Sequence, residues 1–78
     1  MWQERNQALI KEFTFPDFKS ALTFVDEVGE LAEAANHHPD ISLSWGKVII
    51  SLTSHNEGGI TEKDRQLAKS IDNLGGTD

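Results

Sequence analysis

The chain has 78 residues, 37% of them hydrophobic, with no cysteine, and a formal charge of −6 from 13 acidic and 7 basic side chains. That length bounds it to one domain over residues 1–78, burying about 60% of the surface its unfolded chain exposes, so a site is expected in a surface cleft or at a subunit boundary. The absent cysteines exclude disulfides and thiolate metal sites, and the acidic balance without a basic stripe disfavours nucleic-acid binding. No run approaches the roughly 18 apolar residues that span a membrane, and nothing in MWQERNQALIKE resembles a signal peptide, so a cytoplasmic protein is expected.

In chain order, WQER reads as a short strand joined near Asn6-Gln7 to a second strand, ALIKEFTF. From Pro16 to Asn36 the pattern is helical. Phe18, Ala21, Leu22, Val25, Val28, Ala32 and Ala35 recur at spacings of three and four. Pro16 suits the first helical turn, Asp17 favours the positive helix end, and Pro39 stops the helix.

ISLSWGKVIISLT, residues 41–53, reads as a hairpin. With Gly46-Lys47 as a Gly-first two-residue loop, Trp45 faces Val48, Leu43 faces Ile50 and Ile41 faces Leu52 on an apolar side. Ser42/Ser51 and Ser44/Ile49 fall on the other side, and Trp45 is assigned to the core. The same register, extended two steps, brings His38 beside His55 at the hairpin's open end. Thr61-Glu-Lys-Asp64 resembles a capping box, Leu67, Ala68, Ile71 and Leu74 give a helical stripe, and Gly75-Gly76 ends it. The order ββαββα predicts an α+β fold, a four-stranded antiparallel sheet with helices packed on one face.

All three histidines, His37, His38 and His55, are thereby gathered at one end of the sheet. Two chemistries compete for them. Three imidazoles suit a catalytic zinc ion, although adjacent residues in extended chain point apart and short HxH or HxxxH spacings are absent. They equally suit general acid–base catalysis, since an unperturbed imidazole titrates at about pH 6.5. Glu33, four residues before His37, is placed to orient it. Asp64 reads as a helix cap and Ser54, Asn56 and Glu57 as polar loop neighbours of His55.

These residues form a larger pattern. Glu33-x3-His37-His38-Pro39, then Trp45, His55 and Asp64 at their spacings, with the phrases FTFPDFKSALTFV, AEAANHHPD and TSHNEGGITEKDRQLAKSID, resembles the pterin-4a-carbinolamine dehydratases from about Trp2 to Leu74. The resemblance implies loss of water from 4a-hydroxytetrahydropterin to give quinonoid dihydropterin, which serves tetrahydrobiopterin recycling, with no metal and no cofactor. It implies His37, His38 and His55 as the acid–base set with Glu33 in support. His37, His38, Pro39, Ser54, His55, Asn56 and Glu57 would then line the pterin. His37 and His55 are favoured as the proton-transfer pair and His38 as an orienting group. It further implies a homodimer or homotetramer, and the lack of an N-terminal helical segment that family members carry before the tryptophan matching Trp2. A non-catalytic interaction module of the same fold is the competing function.

Overall fold

A computed structural model describes residues 1–74. The first hairpin joins β1 (Gln3–Arg5) to β2 (Ala8–Thr14). Its two-residue loop is Asn6-Gln7, both with positive φ (50° and 65°). Those are the angles of a primed turn, whose twist matches the flanking strands. Helix α1 (Phe18–Ala35) follows, then β3 (Asp40–Ser44), β4 (Lys47–Leu52), a single 3₁₀ turn (His55–Glu57) and α2 (Glu62–Asp72). All strand pairs are antiparallel and the sheet order is β1-β2-β4-β3. Both helices pack on one face, as the ββαββα order predicts.

The core lies between that face and the helices. Leu9, Phe13, Val48, Ile50 and Leu52 alternate inward from β2 and β4 and meet Ala21, Phe24 and Val28 of α1 and Leu67, Ala68 and Ile71 of α2. Fully burying each of the larger aliphatics contributes about 1.5–3 kcal/mol. Phe24 sits among aromatics, with ring centroids 4.7 Å from Phe13 and 5.1 Å from Phe15. Away from the histidines, Asp72 of α2 accepts from Trp2 Nε1 at 3.1 Å and from Lys11 Nζ at 2.9 Å, tying the first hairpin to the last helix.

Four details of the sequence reading change. The second hairpin turns on Trp45-Gly46, not Gly46-Lys47. Ile41 therefore faces Ile50, Ser42 faces Ile49, Leu43 faces Val48, Ser44 faces Lys47, and Ser51 faces Asp40. The cause is tertiary. Phe15 N–H donates to the Gly46 carbonyl at 2.8 Å, and a Cβ on Gly46 would lie 2.8 Å from the Phe15 carbonyl oxygen. The end of β2 therefore requires glycine at the second loop position, which leaves Trp45 at the tip, 68% exposed and out of the core.

Helix α1 buries Ala21, Phe24, Val28 and Ala32, so its buried stripe is rotated from the expected one. Phe18 and Leu22 stay 44% and 41% exposed, and Ala35 is exposed. Pro16 precedes the helix rather than opening its first turn. Asp17 is the N-cap, its carboxylate accepting from Ser20 N–H at 2.8 Å. Helix α2 ends at Asp72 with Asn73 as its cap, and the Gly75-Gly76 terminator lies outside the described residues.

Candidate functional site: a histidine-lined cleft at one sheet end

The end of α1 sets the first histidine. Asn36 adopts the left-handed conformation (φ 52°), and the chain closes as a Schellman motif, with His37 N–H donating to Ala32 O at 3.1 Å and Asn36 N–H to Glu33 O at 3.2 Å. This turn ends the helix two residues before His37 and sends its ring toward the first turn of α2. There His37 Nε2 meets Asp64 Oδ1 at 2.5 Å.

Asp64 is fully buried and serves two partners sets at once. Its Oδ2 accepts from Thr61 N–H at 2.9 Å, the capping-box bond that the spacing TEKD predicts, and from Ser54 Oγ at 2.8 Å. Its Oδ1 is left for His37. Burial on its own would raise the Asp64 pKa. The hydrogen bonds from His37, Thr61 N–H and Ser54 outweigh it and hold the carboxyl below its ordinary value of 3.8. An ionised carboxylate only accepts, so His37 Nε2 carries a proton and Nδ1 is the ring nitrogen left for exchange. Thus the cap and the histidine anchor are the same residue, and reading Asp64 as a cap alone is incomplete.

The second histidine is held differently. Glu33 does not reach His37, because the helix stops at Ala35; its Oε2 lies 2.5 Å from His38 Nε2. Side-chain exposures of 56% and 79% make this a solvent-facing pair. His55, in the 3₁₀ turn, has no side-chain hydrogen bond among the described residues. It does not pair with His38 across a ladder, since β3 begins only at Asp40 and β4 ends at Leu52. The loop is fixed instead by an isolated Ser54–Gly59 bridge, and by positive φ at Gly58 and Gly59 (81° and 141°).

The three rings nevertheless converge. His37, His38 and His55 line one open cleft of about 460 Å³ together with Ser54, Asn56 and Glu57, all predicted to contact a ligand. Pro39 and Glu33 do not line it, and Glu33 is linked to it by its contact with His38. Asn36, Thr53 and Lys63 also line the cleft and were not anticipated. Lys63 lies 3.9 Å from Glu57. Its position in the first turn of α2, one residue before Asp64, is the signal that could have found it. Among the described residues no three His, Asp or Glu side chains are grouped to hold a metal ion. No described helix is long and apolar enough to cross a membrane.

Fold and site together define a small α+β domain with a histidine-lined cleft at one end of an antiparallel sheet. A family model described as pterin 4 alpha carbinolamine dehydratase matches residues 1–74. A protein of Roseiflexus sp. (strain RS-1) is 49% identical over 73 residues, covering 94% of this chain and 78% of its own. One of Sulfurisphaera tokodaii is 45% identical over the same shares. Both carry provisional names as pterin-4-alpha-carbinolamine dehydratases. The chain belongs to the pterin-4-alpha-carbinolamine dehydratase family.

Among solved structures, a Brucella melitensis protein titled transcriptional coactivator/pterin dehydratase superposes with a TM-score of 0.90 at 31% identity, over 96% of this chain and 82% of that one. A pterin dehydratase-like protein identified as a RuBisCO assembly factor in the alpha-carboxysome gives 0.78 at 28% identity, over 100% and 90%.

Proposed function

We propose that the protein is a 4a-hydroxytetrahydrobiopterin dehydratase, a hydro-lyase that works by histidine general acid–base catalysis and supports tetrahydrobiopterin recycling in the cytoplasm. The observation that carries this is the convergence of three imidazoles on one cleft, with a buried carboxylate fixing the tautomer of one of them. Dehydration needs a proton delivered to the departing 4a-hydroxyl and another taken from N5. The hydroxyl leaves as water as its C–O bond breaks, and N5 forms a double bond to C4a, giving quinonoid dihydropterin.

His37 is suited to take the N5 proton. Nδ1 accepts it, and the resulting imidazolium is stabilised by Asp64 through Nε2–H. His55, with no side-chain partner among the described residues, is suited to donate to the hydroxyl. His38, held by Glu33, orients the pterin, and Ser54, Asn56 and Glu57 offer polar contacts to the heterocycle. Positioned acid–base groups of this kind contribute about 10²–10⁴ in rate. No step requires a metal or a cofactor. Decay of 4a-hydroxytetrahydropterin, followed with and without protein, tests the reading: acceleration is expected, and an unchanged spontaneous rate overturns it.

An observation favours a homo-oligomer as the working form. Phe18 and Leu22, 44% and 41% exposed, form an apolar ridge on α1 outside the core, and exposed ridges of this kind mark association surfaces. A two-fold dimer through α1 is the simplest assembly, and a tetramer follows if a sheet edge also pairs. The same ridge supports the second reading, a non-catalytic interaction module, as does the solved relative identified as an assembly factor. The carbinolamine assay separates the two readings, because a pure interaction module leaves the decay unchanged.

A further inference from the structure

Beyond the histidine cleft a second cleft, of about 330 Å³, opens on the sheet face that carries no helix. Thr53 and His55 line both, so the two meet at the wall His55 makes. Its floor comes from Ala8, Ile10 and Ser51, which alternate outward from β2 and β4 while Leu9, Ile50 and Leu52 point into the core. The His55 loop is drawn close to the first hairpin. Thr53 Oγ1 donates to Gln7 O at 2.8 Å, and Gly59 packs so tightly that a Cβ there would lie 3.3 Å from the Gln7 Cβ.

Arg5 stands on one rim. Strand alternation in β1 sends Glu4 to the helix face, where it pairs with Arg65 at 3.2 Å, and leaves Arg5 on the outer face. Arg5 has no ion-pair partner among the described residues, in a chain whose net charge is −6. Asp40, on the opposite edge strand, is the carboxylate across the cleft. The outer face thus offers an unneutralised guanidinium at one end, polar groups of Thr53 and Ser51 along the way, and continuity with the reacting site.

Resting on the pterin reading above, we infer that the outer cleft takes the C6 substituent of the pterin, and that Arg5 selects substrates whose substituent ends in an anion, phosphate or carboxylate. A guanidinium fork recognises either group with paired charge-assisted hydrogen bonds. Arg5 binds and selects and takes no part in proton transfer.

Titrations of the full chain with three non-reacting dihydropterins test this at low ionic strength: 7,8-dihydroneopterin, its 3′-monophosphate, and 7,8-dihydrofolate as the carboxylate probe. At least one anionic probe is expected to bind about tenfold more tightly than neutral dihydroneopterin, the gain one charge-assisted pair supplies. Arg5→Ala, at an exposed position, is expected to abolish that preference and leave dihydroneopterin affinity unchanged, while Asp40→Asn retains the preference. Which anionic probe gains identifies the group. Equal affinity for all three, or a preference that survives Arg5→Ala, overturns the inference and leaves the pterin reading intact. Binding of none of them overturns the pterin reading, and this inference with it.

Discussion

His37–Asp64 and His38–Glu33 are the same contact on paper: an imidazole Nε2 lies 2.5 Å from a carboxylate oxygen in both. Their surroundings separate them. Asp64 has a fully buried side chain and His37 is 16% exposed, whereas His38 and Glu33 are 56% and 79% exposed. Asp64 also accepts from Thr61 N–H and Ser54 Oγ, while Glu33 has one partner among the described residues, for which water competes. The buried pair is part of the fold and fixes a tautomer. The exposed pair only biases the placement of a solvent-facing ring. Distance therefore says little about what a histidine–carboxylate contact contributes, and desolvation together with the remaining hydrogen bonds says most of it.

The largest expected effect comes from removing the buried anchor. Asp64→Ala leaves Ser54 Oγ, Thr61 N–H and His37 Nε2–H without their acceptor, and is predicted to lower unfolding free energy by about 3 kcal/mol. Urea unfolding measures it. A loss near zero would show that water replaces the carboxylate freely and that the buried pair is no different from the exposed one.

Acid sharpens the same contrast. Because the folded-state pKa of Asp64 is depressed, its contribution is fully present above its unfolded value near 3.8, and is lost as pH falls through the lower folded value. The stability gap between wild type and Asp64→Asn should therefore be constant from pH 7 to about 5 and shrink below 3.8. A gap that widens on acidification would reverse the assigned direction.

Breaking the exposed pair should cost far less. Glu33→Gln is expected to change stability by about 0–0.5 kcal/mol, within the range of surface ion pairs, and to lower turnover only a few-fold through looser placement of His38. A collapse of stability would make Glu33 structural. Smallest of all is the expected effect of chelation: dialysis against EDTA should leave turnover unchanged, and loss restored by stoichiometric zinc would overturn the acid–base account.

The difference between the two pairs was only half legible in the sequence. The spacing of Thr61 and Asp64 announces a capping box, and it forms. Nothing in that spacing says that Asp64 has a second oxygen free to face another helix, because the meeting of α2 with the end of α1 is a tertiary event. Glu33 and His37 at i and i+4 look like partners on a continuous helix. Asn36 ends the helix early, and its left-handed turn delivers the carboxylate to His38 instead. Asparagine tolerates that conformation, so the stop signal was present at Asn36, one residue earlier than the histidines and three before Pro39.

The second hairpin shows why the sheet was nonetheless foreseeable. Moving the partner of Ile41 from Leu52 to Ile50 shifts register by two residues, and a shift of two keeps every side chain on its face. Apolar alternation fixes which face is buried and is blind to that shift. The contact that decides it joins Gly46, in the loop of this hairpin, to Phe15, just past the end of β2. Trp45 was misplaced for the same reason: bulk and aromaticity argue for the core, and the turn position overrides them. The histidines still converge as expected, although through a 3₁₀ turn and a loop rather than a strand ladder.

The central claim is that the carboxylate-anchored histidine moves the proton in dehydration. Stopped-flow absorbance of 4a-hydroxytetrahydropterin decay, with wild type and His37→Ala compared after circular dichroism has shown both folded, tests it most directly. The account predicts that His37→Ala loses about 10²-fold or more of the catalysed rate, as removal of a positioned acid–base group does. A folded His37→Ala protein that dehydrates the carbinolamine at the wild-type rate would contradict it.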